Sequence, residues 1–467
     1  MKGLVSAYIS PHPPIIVENI GRGEEKKCID TINGLMKIAE DIENKKPETI
    51  IVITPHGPLF SDAIAMSIGE ELYGDFGNFG HSELKYHFKN DLEIVQNIYD
   101  MAKKEGIQIA LMNKEMYEMY GLEDTLDHGV LVPMHFVTKK YTDFKLVHIT
   151  YGLLSPIELY KFGNIIEKIA KGKRNISIIA SGDLSHRLLD SGPYSYSPKG
   201  KEFDEKIISL FKNKDLAGVI SFDLDLAKEA GECGLRSFMI LAGALSQHDF
   251  YPHILSYEGP FGVGYMTAIF EIMGESSKDY IEEIKQKIDE KIKSKRANED
   301  KYQRLARESL EYYIKNRKYM DIPEYVDSEM LYLRMPVFVS IKKFGELRGC
   351  IGSTSPIKRN IAEEIIYFAV EAGTKDPRFS PVTEEELPFL SYSVDVLYPP
   401  KKVKSIDELD PKKYGIIVES GFKKGLLLPD IEGVDTVRDQ IRIALNKAGI
   451  DEHEKYEISK FEVIRHG

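Results

Sequence analysis

Cysteine is scarce in this sequence. Cys28, Cys233 and Cys350 are the only three among 467 residues. Three widely spaced thiols do not make a disulfide framework, and the lack of a CxxC pair argues against a structural zinc knuckle. The expected setting is a reducing cytoplasm. No apolar run is long enough to cross a bilayer, so no membrane-spanning helix is expected. The opening MKGLVSAYISPHPP has one lysine and a short apolar run before its prolines. It lacks the long apolar core and cleavage site of a signal peptide. Positive charge is in deficit: 62 Lys and Arg face 74 Asp and Glu, for a net charge of −12. That balance argues against general binding to nucleic acid or to an anionic membrane, though not against a local basic patch.

What is present is ordinary for a globular protein, with 42% hydrophobic and 29% charged residues. The length predicts roughly two or three domains. Apolar runs at 4–9, 49–54, 63–68, 107–112, 145–150, 176–180 and 263–271 read as strands. Several are continuous, as in strands buried on both faces. Amphipathic helices are expected at 25–43, 92–105, 157–171 and 201–212. The alternation predicts an α/β domain over 1–272, with a central sheet covered by helices. Residues 273–297, dense in Lys and Glu, read as a charged helical linker. Residues 298–467 read as an α+β domain, with helices at 302–317, 358–372 and 434–448 and strands at 336–342 and 390–398.

Four of the twelve histidines stand at strand ends or Gly/Pro corners. They are His12 in SPHPP, His56 in TPHGP, His128 in LDHGVLVPMHF and His186 in ASGDLSHR. In an open α/β sheet, ligands bind beyond the carboxyl ends of the strands. Proline at a corner fixes φ and sets the imidazole before a ligand arrives. His12 and His56 therefore read as two metal ligands on rigid corners. A third ligand could come from EAGECGLRS at 229–237, as the Glu232 carboxylate or the Cys233 thiolate. Asp183 suits orientation of a histidine through its ring N–H. His186 suits a general base and His128 a contact to a substrate hydroxyl.

These blocks, with YGDFGNFG (73–80), GPYSYSPKGKEFD (192–204) and GPFGVGYMTAIFE (259–271), occur in an order that resembles the catalytic subunit of class III extradiol ring-cleavage dioxygenases and the related Memo family. The resemblance covers about residues 1–272. It implies Fe(II), with zinc or another divalent ion as the alternative, and a small aromatic substrate whose ring opens beside a hydroxyl. His12 and His56 match the metal histidines, His186 the base and His128 the substrate-contacting histidine. The family's metal glutamate falls on Gly234 here, and a cysteine followed by glycine is closer to Memo. Glu232 and Cys233 both stay open as the third ligand.

In the second half, ELRGCIGS (346–353) and DPRFSP (376–381) bring forward Arg348, Cys350 and Arg378. The arginines could clamp an anion, and a cation beside Cys350 would activate its thiol. The alternative is that Cys350 packs and the arginines pair with Asp376 or a nearby Glu. These blocks resemble the AMMECR-type domain. Both halves together resemble the protein A component of the AmmeMemoRadiSam system, which implies a radical SAM protein and a Memo-like protein as partners. A homo-oligomer is also allowed. Two functions follow as expectations. One is a metalloenzyme, extradiol-type or carrying out non-oxidative C–C cleavage or hydrolysis on the same metal. The other is a non-catalytic metal- or ligand-binding adaptor.

Overall fold

The continuous apolar runs become the centre of one large sheet. A computed structural model describes residues 2–467 except 173, 193, 277, 344, 345 and 432. Pro193 of the GPYSYSPKGKEFD block and Ser277 of the charged stretch lie outside the described residues. The chain divides into Met1–Asp289 and Glu290–Gly467. The strands of the first unit are β1 Leu4–Ser10, β2 Thr49–Thr54, β3 Ile64–Ser67, β4 Glu71–Phe76, β5 His81–Lys89, β6 Ile109–Met112, β7 Lys145–Thr150, β8 Ile176–Ser181, β9 His248–Glu258 and β10 Tyr265–Glu275. Eight of them form a sheet in the order β6-β3-β7-β2-β8-β1-β10-β9. The four central strands β7, β2, β8 and β1 are parallel. Their carboxyl ends therefore share one edge.

Alternate residues of β2 serve two cores, because side chains of a strand point to opposite faces. Ile51 and Ile53 join one apolar cluster, and Ile50 and Val52 the other. Helices Leu92–Lys104, Pro156–Ala170, Pro198–Lys212 and Leu235–Leu245 cover the first face. Helices Ile29–Lys45 and His128–Val137 cover the second. Two pieces carry no continuous apolar run. The β4–β5 hairpin is a separate two-stranded ribbon of alternating exposure. Edge strand β9 contains Pro252 and is only half buried, and proline is tolerated in a sheet at such an edge.

The stretch dense in Lys and Glu forms the helix Ile281–Ala297. The second unit then has β11 Val337–Lys343, β12 Glu346–Gly352, β13 Leu390–Leu397, β14 Lys401–Lys402, β15 Gly415–Ser420, β16 Lys423–Leu427, β17 Glu457–Phe461 and β18 Val463–His466. They make two antiparallel sheets, β12-β11-β13-β18 and β14-β17-β15-β16. The helices Lys301–Asn316 and Ile361–Thr374 bury Leu305, Leu310, Ile365 and Ala369 with Val339 and Val394 of the first sheet. Among the described residues no helix is long and apolar enough to cross a membrane.

Candidate metal centre

Each of the four central strands ends on a buried hydroxyl: Ser10, Thr54, Thr150 and Ser181. A hydroxyl at that place can orient whatever follows the strand. His12 lies two residues beyond β1 and is 1% exposed. Its backbone N–H donates to Asp183 Oδ1 at 2.9 Å, which ties the corner after β1 to the loop after β8. Its Nδ1 lies 2.8 Å from Ser181 Oγ. Ser181 gives its own proton to the Gly129 carbonyl at 2.5 Å, so it accepts from His12. Nδ1 of His12 thus carries the hydrogen, and Nε2 is left with a lone pair.

That Nε2 points at His56. The two Nε2 atoms stand 2.9 Å apart, and the rings meet edge to face with an interplanar angle of 82°. Two nitrogens each about 2.1 Å from one cation stand about 3 Å apart when adjacent, so the spacing fits a shared ion. The donor atoms of His12, His56 and His128 all lie within 4.8 Å of one another. His128 differs from the other two. Its ring stacks on His56 at 4.1 Å and 26°, so its plane runs alongside that of His56.

The electrostatics also suit a cation. Burial holds His12 well below the usual imidazole range, helped by the charge of His56. Burial, with His12 and His56, pulls His128 down to about 3. His56 is exposed on one side, but the loss of solvent on its other side lowers it too. These are neutral imidazoles, the form that binds metal. The 4.0 Å approach of His12 Nε2 to Asp183 Oδ2 is therefore not an ion pair. Asp183 itself is pushed up to about 6 by burial, against the pull of His186 and the His12 N–H.

The two third-ligand candidates are placed differently. Cys233 Sγ lies 3.6 Å from His12 Nε2 and takes the Asp183 N–H at 3.3 Å. Burial, with Asp183 and Glu232 nearby, holds its thiol protonated; a cation beside it would remove that proton. Glu232 turns away. Its Oε2 accepts the Leu235 N–H at 2.6 Å at the start of the helix Leu235–Leu245. Burial pushes this carboxyl up to about 7. The slot at Gly234 is closed to a side chain. A Cβ there would lie 2.5 Å from the Phe238 ring, and one on Gly182 would lie 2.1 Å from Gly234 Cα.

His186 sits in the loop after β8, with its ring stacked on Tyr194 at 5.5 Å and 18°. Its Nε2 is buried and has no hydrogen-bond partner among the described residues. Burial lowers its pKa, opposed by Asp183. Phe79, from the turn of the β4–β5 hairpin, packs edge-on against His128 at 5.5 Å. Sequence reasoning did not single out Phe79, Tyr194, Ser181, Thr54 or Asp127. The one local signal for two of them was the hydroxyl that closes each central strand.

In the second unit, Arg348 and Arg378 face carboxylates. Arg348 makes two 3.0 Å bonds to Glu386. Arg378 grips Asp376 at 2.9 and 2.7 Å. Asp376 Oδ2 also accepts the Cys350 N–H at 2.8 Å, and Cys350 Sγ takes the Ser340 hydroxyl at 3.2 Å from the paired strand. Gly349 lets β12 press on the helix Ile361–Thr374, where a Cβ would lie 2.1 Å from the Ala372 carbonyl. The anion-clamp reading places no third group between the arginines; each guanidinium is bonded to a carboxylate of its own unit.

Comparison with known proteins divides the chain at the same place. The family model for the catalytic LigB subunit of aromatic ring-opening dioxygenase matches residues 6–268, and AMMECR1 matches 303–466. Protein CA_C1420 of Clostridium acetobutylicum is 46% identical over 461 residues, 98% of each chain. A Thermotoga maritima protein is 48% identical over 170 residues, which are 36% of this chain and 98% of that one. Among solved structures, uncharacterized protein JW3007 from Escherichia coli K12 is 13% identical with a TM-score of 0.41, covering 57% of this chain and 99% of its own. Matched over more than half its length, the chain belongs to the family of the catalytic LigB subunit of aromatic ring-opening dioxygenases, with an AMMECR1 domain following it.

Proposed function

We propose that the first unit is a metal-dependent enzyme acting on a small phenolic aromatic, with Fe(II) as the leading metal and zinc as the alternative. The observation that carries this is the pair of converging, neutral imidazoles, His12 and His56, with 2.9 Å between their Nε2 atoms. These two would hold the cation, with Cys233 as the nearest further donor. When bound, such a cation supplies Lewis acidity to a phenolic hydroxyl and, if iron, redox capacity toward dioxygen. The protein's own residues do the rest. His186 Nε2, neutral and without a hydrogen-bond partner among the described residues, accepts the proton of a substrate hydroxyl. His128 hydrogen-bonds a second polar group, and Phe79 and Tyr194 offer aromatic faces beside the imidazoles. The AMMECR1 domain would meet a radical SAM protein or a Memo-like partner, and the reaction would run in the cytoplasm.

The closed slot at Gly234 favours a second reading. With no carboxylate ligand, the pocket could serve as a metal-binding adaptor without turnover. Elemental analysis of anaerobically purified chain, followed by oxygen uptake with catechols, separates the two. Near one iron per chain, lost in His12→Ala/His56→Ala, together with substrate-dependent oxygen uptake, is the expected result. Metal without turnover on any phenol leaves the adaptor. No metal after anaerobic reconstitution overturns both.

A further inference from the structure

The three clustered imidazoles come from three different segments, yet their supports meet at one turn. Asp127 caps the helix that begins at His128. Its Oδ1 accepts the Gly129 N–H at 2.8 Å and the Thr54 hydroxyl at 2.6 Å. Thr54 in turn accepts the His56 N–H at 3.2 Å. The Gly129 carbonyl accepts from Ser181, which fixes the His12 ring. The turn is also tight. A Cβ on Gly129 would lie 2.2 Å from Thr54 Oγ1, so the helix start is pressed onto the end of β2. One carboxylate and the next peptide but one thus reach His12, His56 and His128 together.

The other oxygen of Asp127 looks inward. Asp127 Oδ2 lies 3.1 Å from His148 Nε2, His148 Nδ1 lies 3.0 Å from Ser67 Oγ, and Ser67 Oγ lies 3.0 Å from the Tyr117 hydroxyl. His148, Ser67 and Tyr117 are at most 4% exposed. One proton assignment satisfies every group with a neutral His148: Tyr117 donates to Ser67, Ser67 to Nδ1, and Nε2–H to Asp127. All donors then run the same way and end on the carboxylate. A buried, fully satisfied chain of this kind fixes the geometry of its end group.

We propose that Asp127, braced by His148, is the positioning residue that sets His12 and His56 for a cation and His128 beside them; this rests on the metal reading above. Outer hydrogen-bond partners of this kind are typically worth about 10- to 100-fold in metal affinity. The test is Co2+ binding by the full chain, read as affinity and as the visible spectrum, with a thermal melt for each variant. Asp127→Ala and His148→Ala should weaken Co2+ by about 10- to 100-fold and change the band shape. His148→Gln, whose amide can donate to Asp127, should recover most of the affinity. Thr54→Val, which removes both the Thr54 bond to Asp127 and the one to His56 but leaves Asp127 its contacts to Gly129 and His148, keeps the test open if Asp127→Ala does not fold. Folded variants with wild-type affinity and an unchanged spectrum overturn the proposal. So does a His148→Gln chain no better than His148→Ala. The metal reading is judged separately: Co2+ retained by His12→Ala/His56→Ala, or never bound by wild type, removes it and this proposal with it.

Discussion

The two units bring histidine or arginine together with cysteine and carboxylates, but they spend their bonding capacity differently. Around His12 part of the capacity is left open. The Nε2 atoms of His12 and His56 share a single 2.9 Å contact, and His186 has a buried nitrogen with no partner among the described residues. Around Cys350 the capacity is closed. Arg348 and Arg378 each make two bonds to a carboxylate, and the thiol has a hydroxyl donor. Buried polar groups cost free energy unless they are satisfied. An unsatisfied cluster therefore points to a missing ligand, and a satisfied one to architecture. The difference teaches that residue type alone does not separate a site from a brace; unmet hydrogen-bonding capacity does.

Breaking the comparison at its open end should change activity without stability. His186→Gln is expected to lower turnover on a responsive phenol by about 10²- to 10⁴-fold, the usual worth of a general base. Metal content and melting temperature should be kept. A variant as active as wild type would leave His186 as mere lining. At the closed end the pattern should reverse. Arg348→Ala leaves the Glu386 carboxylate with only Lys343 and the Thr383 N–H and should cost about 2 kcal/mol, seen in urea unfolding, with metal binding in the first unit unaffected. Burial pushes the Glu386 carboxyl up, but Arg348, the Thr383 N–H and Lys343 outweigh it and hold it at about 2. An unfolded glutamate titrates near 4.3. The stabilisation is thus complete above about 4.3 and lost as pH falls toward 2. Arg348→Ala should flatten the acid limb in that window, and an unchanged limb would sink the assignment.

Gly234→Glu tests whether the open site could take back a carboxylate. Its side chain would have to displace the Phe238 ring, and overpacking of this kind costs about 1 to 3 kcal/mol. We expect lower stability and no gain in metal affinity. A tighter Co2+ complex in this variant would show that the slot can open.

The central sheet was legible because its strands are buried on both faces and so read as unbroken apolar runs. The β4–β5 hairpin and β9 were not, because half of each faces solvent and Pro252 interrupts the run. The corners holding His12 and His56 announced themselves through their prolines. The supports of those rings did not. Ser181 and Thr54 look like the last residues of buried strands, and their roles depend on partners 52 and 73 positions away in the chain. His148 carries no local mark at all, yet it holds Asp127 across 21 residues. Hydrogen bonds between distant segments leave no period in a sequence.

The smallest expected effect is the most direct test of the closed end. Cys350 follows Arg348 by two positions, and that neighbourhood alone suggests a reactive thiol. In the fold, the Arg348 guanidinium is spent on Glu386, and the Cys350 sulfur accepts a hydroxyl from Ser340 on the paired strand. Its backbone N–H is held by Asp376, and that bond does not depend on the side chain. Serine keeps the shape and can still accept from Ser340. Cys350→Ser should therefore cost no more than about 1 kcal/mol, the worth of one ordinary hydrogen bond, and leave any turnover unchanged. Loss of turnover in a chain that melts like wild type would mean that the thiol does chemistry. The satisfied cluster would then be a site after all, and unmet bonding capacity would fail as the criterion that separates the two units.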